Sequence, residues 1–359
     1  MPEGHTVHRL ARTLDQLFAG RRLAVSSPQG RFAAGADVLD GATLVGAEAW
    51  GKQLFCRFDV PGPDAGAYER WLRVHLGLYG AWTFAGDGSA DVAHAIGAPR
   101  RRVGERETTL SSEPSDQAAG GRDPRPAGPG EWTAPEPRGA VRVRLLAPHA
   151  VADLTGPTAC EVLTPDEKAA VEDRLGPDPI RPDGGHDSLE AARAAFVARV
   201  RRSRVTVGQQ LIDQAVVAGV GNIYRAEALF RAGLDPLRPG RDVAAAVLEQ
   251  IWDDLVALLR DGAASGRIVT TRPEHRDDGG AAHGGGATGD EQARAGAVVT
   301  AAGRRRTRQN TDDDPDAVPA HEAFYVYHRE GLPCRVCGTP VLIEELAGRN
   351  LFWCGVCQT

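Results

Sequence analysis

Apolar residues near the start of the chain recur with helical spacing. Val7, Leu10, Ala11, Leu14, Leu17 and Phe18 fall on one stripe, and Gly20 stands where a C-terminal cap is expected. Just upstream, Pro2 suits a first helical position and Glu3 a first turn, so the simplest reading of MPEGHT is helix grammar. From 20 to 84 and from 139 to 155 the period changes to two, in runs such as RWLRVHLGLYGAWTF and VRVRLL, which predicts an antiparallel sandwich or barrel. In AWGKQLFCRF, Leu54, Cys56 and Phe58 share one face and Phe55 and Arg57 the other, with Lys52 where the strand begins. Between 161 and 270 the helical period returns in PDEKAAVEDRL, LEAARAAFVARV, QQLIDQAVV, IYRAEALFRA and VAAAVLEQIWDDLVALL. The expected order is a two-layer β domain followed by a helical one, without solenoid repeats.

Two stretches carry neither period. Residues 86–138 and 276–322 are rich in Gly, Pro, Asp and Ala, the composition of disordered insertions. The expected division is therefore 1–160, interrupted at 86–138; 161–270; an insertion or linker over 271–322; and 323–359. These stretches also change the reading of charge. A formal net charge of -6 argues at face value against a nucleic-acid partner. The first stretch holds nine Asp/Glu against seven Arg and the second nine against six, which is -2 and -3, leaving about -1 for the remainder.

At 359 residues and 42% hydrophobic content the chain has room for two or three domains. No apolar run approaches the roughly 20 residues of a membrane span, and no charged-then-apolar leader opens the chain, so the expected location is the cytoplasm. No membrane partner is expected.

The candidate chemistry begins with basic residues. Only Lys52 and Lys168 are lysines among 42 Lys and Arg, so Lys52 marks a place where an amine is needed or is an ordinary strand-end residue. Arg199, Arg201, Arg202 and Arg204 crowd the run ARVRRSRVTVG, either a solvated face or a contact for phosphates. Cysteine spacing is more specific. Cys334 and Cys337, then Cys354 and Cys357, form two C-x2-C knuckles separated by 16 residues, the pattern of a tetrahedral four-thiolate zinc site. A closed shell of four sulfurs leaves no position for water, so one structural zinc is expected. The intervening VLIEELAGRNLFW is the right length for a β-hairpin with Arg349 near its tip. Cys56 and Cys160 remain as small buried apolar residues. In DQAVVAGVGNIYRAEALF, Asn222 follows a Gly-rich link and opens a helix, as an N-cap and also as a place where free N-H groups meet phosphate. At the amino end, the compact Pro2 favours removal of Met1, which leaves a secondary amine beside a carboxylate.

MPEGHT, GKQLF, HLGLYGAW, RLGPDP, LIDQAVVAGVGNIYRAE and GRNLFWCGVCQ together resemble the formamidopyrimidine-DNA glycosylase and endonuclease VIII family, in that family's order and across the chain apart from the two insertions. The resemblance implies a multidomain α+β fold: an N-terminal β-sandwich with an N-terminal helix, a helix-two-turn-helix domain, and a C-terminal β-hairpin zinc finger. It also implies a bifunctional DNA glycosylase and abasic-site lyase of base excision repair. Its partner would be damaged double-stranded DNA, met by a monomer in the cytoplasm and associated with the nucleoid when bound.

By the same resemblance Pro2 is the nucleophile that attacks C1′ of the extruded nucleotide, and Glu3 shuttles protons. A free α-amino group titrates near pH 8, about 2 units below lysine, so part of it is nucleophilic at neutral pH. Lys52 matches the lysine that assists β-elimination, and Arg349 the finger arginine linked to phosphate binding and δ-elimination. Arg174 and Asn222 match DNA-contacting residues, while Leu78 and Tyr79 match the loop that fills the gap left by the extruded base. The Leu-Tyr-Gly-x-Trp run resembles the endonuclease VIII branch and favours oxidised pyrimidines, although Gly77 stands where that branch can carry Gln. An oxidised-purine glycosylase and a catalytically silent damage-binding relative are the alternatives.

Overall fold

A computed structural model describes residues 2–62, 66–89, 94–97, 132–276 and 318–359. The two expected insertions fall largely outside these residues. Helix α1 spans Gly4–Phe18, and the stripe read from the sequence is its buried face, with Leu10, Leu14 and Phe18 inaccessible to solvent. Gly20 adopts φ of 74° just beyond the C-cap Ala19. The amino end differs from the helical reading. Glu3 is the N-cap in extended backbone: its carbonyl accepts from Thr6 N-H at 3.0 Å, but its side chain makes no bond to its own helix, so Pro2 lies before the first turn.

Strands β1 (Arg21–Arg22) and β2 (Ala24–Ser26) lead to a short helix α2 (Ala33–Leu39). There follow β3 (Thr43–Trp50), β4 (Gln53–Pro61), β5 (Ala67–His75), β6 (Ala81–Gly86), β7 (Ala95–Gly97), β8 (Val141–Ala147), β9 (Ala150–Thr155) and β10 (Ala159–Leu163). They make two antiparallel sheets, ordered β1-β3-β4-β5-β10 and β2-β8-β9-β6-β7, so the form taken is a sandwich. Leu54, Cys56 and Phe58 of β4 meet Trp82 of β6, Leu145 of β8 and the buried face of α1 in one core. Phe55, on the other face, is buried beneath helix α3 (Pro165–Glu172) with Leu163 and Val171. That outer layer turns strict alternation into a nearly continuous buried run. Strand β7 lies inside the stretch expected to be a disordered insertion. It pairs with β6 and buries Ile96, so the sheet extends into that stretch.

The helical domain comprises α4 (Leu189–Arg201), α5 (Val207–Gln210), α6 (Asn222–Arg231) and α7 (Ala245–Ser265) around Phe196, Tyr224, Trp252 and Leu255. Here the reading of QQLIDQAVV as a helix is corrected: only its first two residues continue α5, and 211–221 is a chain of turns. The reason is side-chain competition. Asp213 accepts from Ala215 N-H at 2.9 Å, and Gln214 bonds the N-H of Gly219 and the carbonyls of Ile212 and Val220. Arg199, Arg201, Arg202 and Arg204 are exposed at and beyond the C-terminus of α4, where positive charge complements the helix dipole.

Strands β11 (Leu342–Leu346) and β12 (Arg349–Trp353) form the expected hairpin. Its turn, Ala347-Gly348, has both φ angles positive, 53° and 71°. Phe352 and Cys354 pack with Phe230 of α6 and Tyr325 in a third core. Among the described residues no helix is long and apolar enough to cross a membrane.

Candidate active site

The amino end and the Gly-rich link before α6 meet backbone to backbone. Gly4 N-H donates to the Gly219 carbonyl at 2.8 Å, and a Cβ on Gly4 would stand 2.7 Å from Gly219 Cα. Glu3 then reaches across to cap α6. Its carboxylate oxygens accept from Gly221 N-H at 2.8 Å and Ile223 N-H at 2.9 Å, and a side chain at 221 would collide with it. The expected N-cap role of Asn222 is thereby corrected: Gly221 is the N-cap, and a carboxylate from the other end of the chain supplies the acceptor.

Lys52 is delivered to the same place by the turn between β3 and β4. Gly51, at φ 57°, packs so closely on the link that a Cβ would lie 2.8 Å from Ala218 Cβ. Its N-H donates to Asp178 at 2.6 Å. The same buried carboxylate takes His8 Nε2 of α1 at 2.7 Å and Ile180 N-H at 2.8 Å. Asp178 thus ties together the helix behind Pro2, the turn before Lys52 and the start of the helical domain.

Pro2, Lys52, Leu78, Asn222 and Arg349 line one cleft of about 280 Å³. Glu3 is buried at its back, only 1% exposed. Tyr79 projects beside Leu78, and both are exposed. Arg174 is different: it is exposed after α3 and does not line the cleft. Within RLGPDP it is Asp178 that makes the contacts inside the fold, while Arg174 stays on the surface. His75, Thr158 and Ile212 line the cleft and were not anticipated, although His75 lies in the HLGLYGAW run that was. Asn222 faces the finger as well as the cleft. Its Nδ2 donates to the Asn350 carbonyl at 2.8 Å, and that carbonyl also accepts from buried Arg225 at 2.9 Å.

Lys52 gives up its proton more readily than an ordinary lysine. Burial lowers its pKa and Arg349 adds to the effect, with Glu3 opposing. His75 is lowered too, by burial first and then by Lys52 and Arg73. Arg225 falls to about 10 through burial and then Arg349, so the cleft gathers more positive groups than negative ones. Cys56 and Cys160 are free thiols whose pKa burial pushes up, which suits inert packing.

The Sγ atoms of Cys334, Cys337, Cys354 and Cys357 all lie within 4.8 Å of one another, with Cys334–Cys357 at 3.9 Å and Cys337–Cys354 at 3.5 Å. Four thiolates about 2.3 Å from one tetrahedral ion would be about 3.8 Å apart, so the donor set fits one structural zinc.

Endonuclease 8 1 of Mycobacterium tuberculosis is 38% identical to this sequence over the whole of both chains. The chain belongs to the formamidopyrimidine-DNA glycosylase and endonuclease VIII family. Family models match in three blocks: the formamidopyrimidine-DNA glycosylase N-terminal domain at 1–125, its H2TH domain at 175–273, and the zinc finger found in FPG and IleRS at 331–359. A formamidopyrimidine-DNA glycosylase of Thermus thermophilus is 32% identical over 187 residues, 52% of this chain and 54% of that one. Among solved structures, Lactococcus lactis Fpg in complex with DNA containing N7-benzyl-Fapy-dG superposes with a TM-score of 0.61 at 16% identity over 99% of each chain, a likeness of fold. Within this family fold the cleft lies where the β-sandwich, the helical domain and the zinc finger meet.

Proposed function

We propose that this DNA glycosylase and abasic-site lyase removes oxidised pyrimidines from double-stranded DNA, one chain per lesion, with the Pro2 amine as nucleophile once Met1 is gone. The observation that carries the reading is convergence. Pro2, Lys52 and Arg349 come from three separate parts of the chain and line one cleft, with the Glu3 carboxylate behind it. A volume of about 280 Å³ suits one extruded nucleotide.

The chemistry follows from these groups. The Pro2 nitrogen bonds to C1′ and the bond from C1′ to the base breaks, while a proton supplied through Glu3 reaches the ribose ring oxygen as the ring opens. The resulting iminium acidifies the C2′ hydrogen. Loss of that proton expels the 3′-phosphate, a second elimination expels the 5′-phosphate, and water releases the amine. Lys52 is placed to take or relay the C2′ proton, and its lowered pKa makes the neutral base more accessible. Arg349 supplies a positive charge for the phosphates.

The pyrimidine preference is supported by the exposed Leu78-Tyr79 pair and by full-length similarity to Endonuclease 8 1. Gly77, at φ 62°, has no room for a side chain because Thr158 occupies that space, so the wedge consists of Leu78 and Tyr79. Borohydride trapping on matched duplexes containing 5-hydroxyuracil, 8-oxoguanine or an abasic site tests the reading. The expected result is a covalent adduct through Pro2, with 5-hydroxyuracil ahead of 8-oxoguanine, and no adduct when an uncleaved tag or retained Met1 blocks the amine. The reverse order of yields selects the purine alternative. Absence of any adduct from chains with a free Pro2 defeats the enzyme mechanism.

A further inference from the structure

Helix α6 carries a buried carboxylate that the chemistry above does not use. Glu227 is fully buried, and its oxygens accept four hydrogen bonds: from Val326 N-H at 2.9 Å, Tyr327 N-H at 2.8 Å, Tyr325 N-H at 2.8 Å, and the Thr270 hydroxyl. Thr270 N-H also donates to the Ala323 carbonyl at 2.9 Å. The chain leaving α7 and the chain returning to the finger are thus gathered at one side chain. Burial raises the Glu227 pKa, and these four bonds oppose that rise.

Residues 325–327 are the root of the finger. Tyr325 stacks on Phe230 of α6 with ring centres 4.7 Å apart, and Val326 packs with Cys334 and Phe352. In the first turn of α6, Asn222 and Arg225 hold the carbonyl of Asn350, the residue next to Arg349. At its first turn the same helix is capped by Glu3. A single helix therefore touches both the catalytic terminus and the finger hairpin in its first turn, and the finger root farther along.

We propose that Glu227 is a positioning residue for strand cleavage: by pinning 325–327 to α6 it sets the reach of Arg349 toward the Pro2–Glu3 end of the cleft. This rests on the role assigned to Arg349 above. Glu227→Gln keeps the volume but turns one acceptor into an NH2 group facing backbone N-H donors. Thr270→Val removes a single bond to the same carboxylate.

The test uses the full-length, zinc-loaded chain on a duplex with an abasic site, reading the ratio of δ- to β-elimination product together with borohydride-trapped yield and zinc content. Arg349→Ala serves as reference. For Glu227→Gln the ratio is expected to fall about fivefold while trapped yield and zinc stay at the wild-type level, with a smaller fall in the same direction for Thr270→Val. If Arg349→Ala lowers the ratio and neither of the other variants does, the proposal is overturned. Should Glu227→Gln lose zinc and trapped yield together, Thr270→Val decides: an unchanged ratio there makes Glu227 a folding residue only. A ratio that Arg349→Ala leaves untouched overturns the role of Arg349, and the proposal with it.

Discussion

At the scale of single residues, His5 shows what tight closure around the amino end costs. Its side chain is buried, edge-on to Tyr224 with ring centres 5.5 Å apart, and among the described residues Nδ1 has no hydrogen-bond partner. Burial, and then neighbouring positive groups that include Arg9 and His8, lower its pKa from 6.5 to about 3. The folded chain therefore keeps His5 neutral while the unfolded chain takes up a proton below about 6.5, so this residue makes stability fall as pH drops from there toward about 3. His5→Leu removes that proton uptake. Urea unfolding at mildly acidic pH should show a slope of stability against pH shallower than wild type by up to about 1.4 kcal/mol per pH unit. Equal slopes would mean that His5 is protonated within the fold. Asp178 gives the complementary lesson about legibility. RLGPDP was visible as a motif, but the tie made by its aspartate was not, because the partners of Asp178 come from α1 and from the turn before Lys52. Spacing within a motif carries no information about contacts that the fold creates across the chain.

At the scale of elements, long amphipathic segments were readable and short side-chain-built ones were not. The stripe of α1 and the apolar period of α7 are set by burial against one core, which the sequence records directly. The link over 211–221 is instead held by Asp213 and Gln214, whose local bonds compete with helix, and its glycines serve contacts with Gly4 and Gly51. The finger hairpin offers an element-level prediction. Ala347 occupies the first position of a turn whose residues both have positive φ, a conformation that costs a Cβ-bearing residue about 1 kcal/mol. Ala347→Gly is expected to remove that strain, and Ala347→Asn to do so with less loss of unfolded-state order. Since Arg349 begins the strand immediately after the turn, the measurable result is a higher temperature for zinc release with trapped yield unchanged. A lower release temperature for both variants would show that the turn is stabilised by something other than its backbone geometry.

At the scale of the whole molecule, the described residues have distinct cores whose stabilities need not be equal. The sandwich core takes in the buried face of α1, and the helical domain closes around Trp252, and neither core contains a zinc ligand. The finger core is smaller, and two of its buried members, Cys334 and Cys354, are zinc ligands. Below about 40 residues an apolar core seldom folds unaided, so metal binding and finger folding are one equilibrium. Chelation should therefore melt the finger while the other two cores keep their cooperative transition. The consequence for function follows from the cleft, because Arg349 lines it from the finger whereas Pro2, Lys52 and Glu3 belong to the metal-free body. A chelated chain is expected to lose DNA affinity by at least about tenfold, the cost of surrendering one or two charge-assisted phosphate contacts. It should still form some trapped adduct at saturating DNA, with product shifted from δ- toward β-elimination, and added zinc should reverse both changes. Metal analysis, a titration of binding against salt and the product ratio measured on one preparation decide the matter. Full affinity in a demonstrably zinc-free chain would mean that the finger is not part of the DNA-binding surface and that the cleft works with the sandwich and helical domain alone.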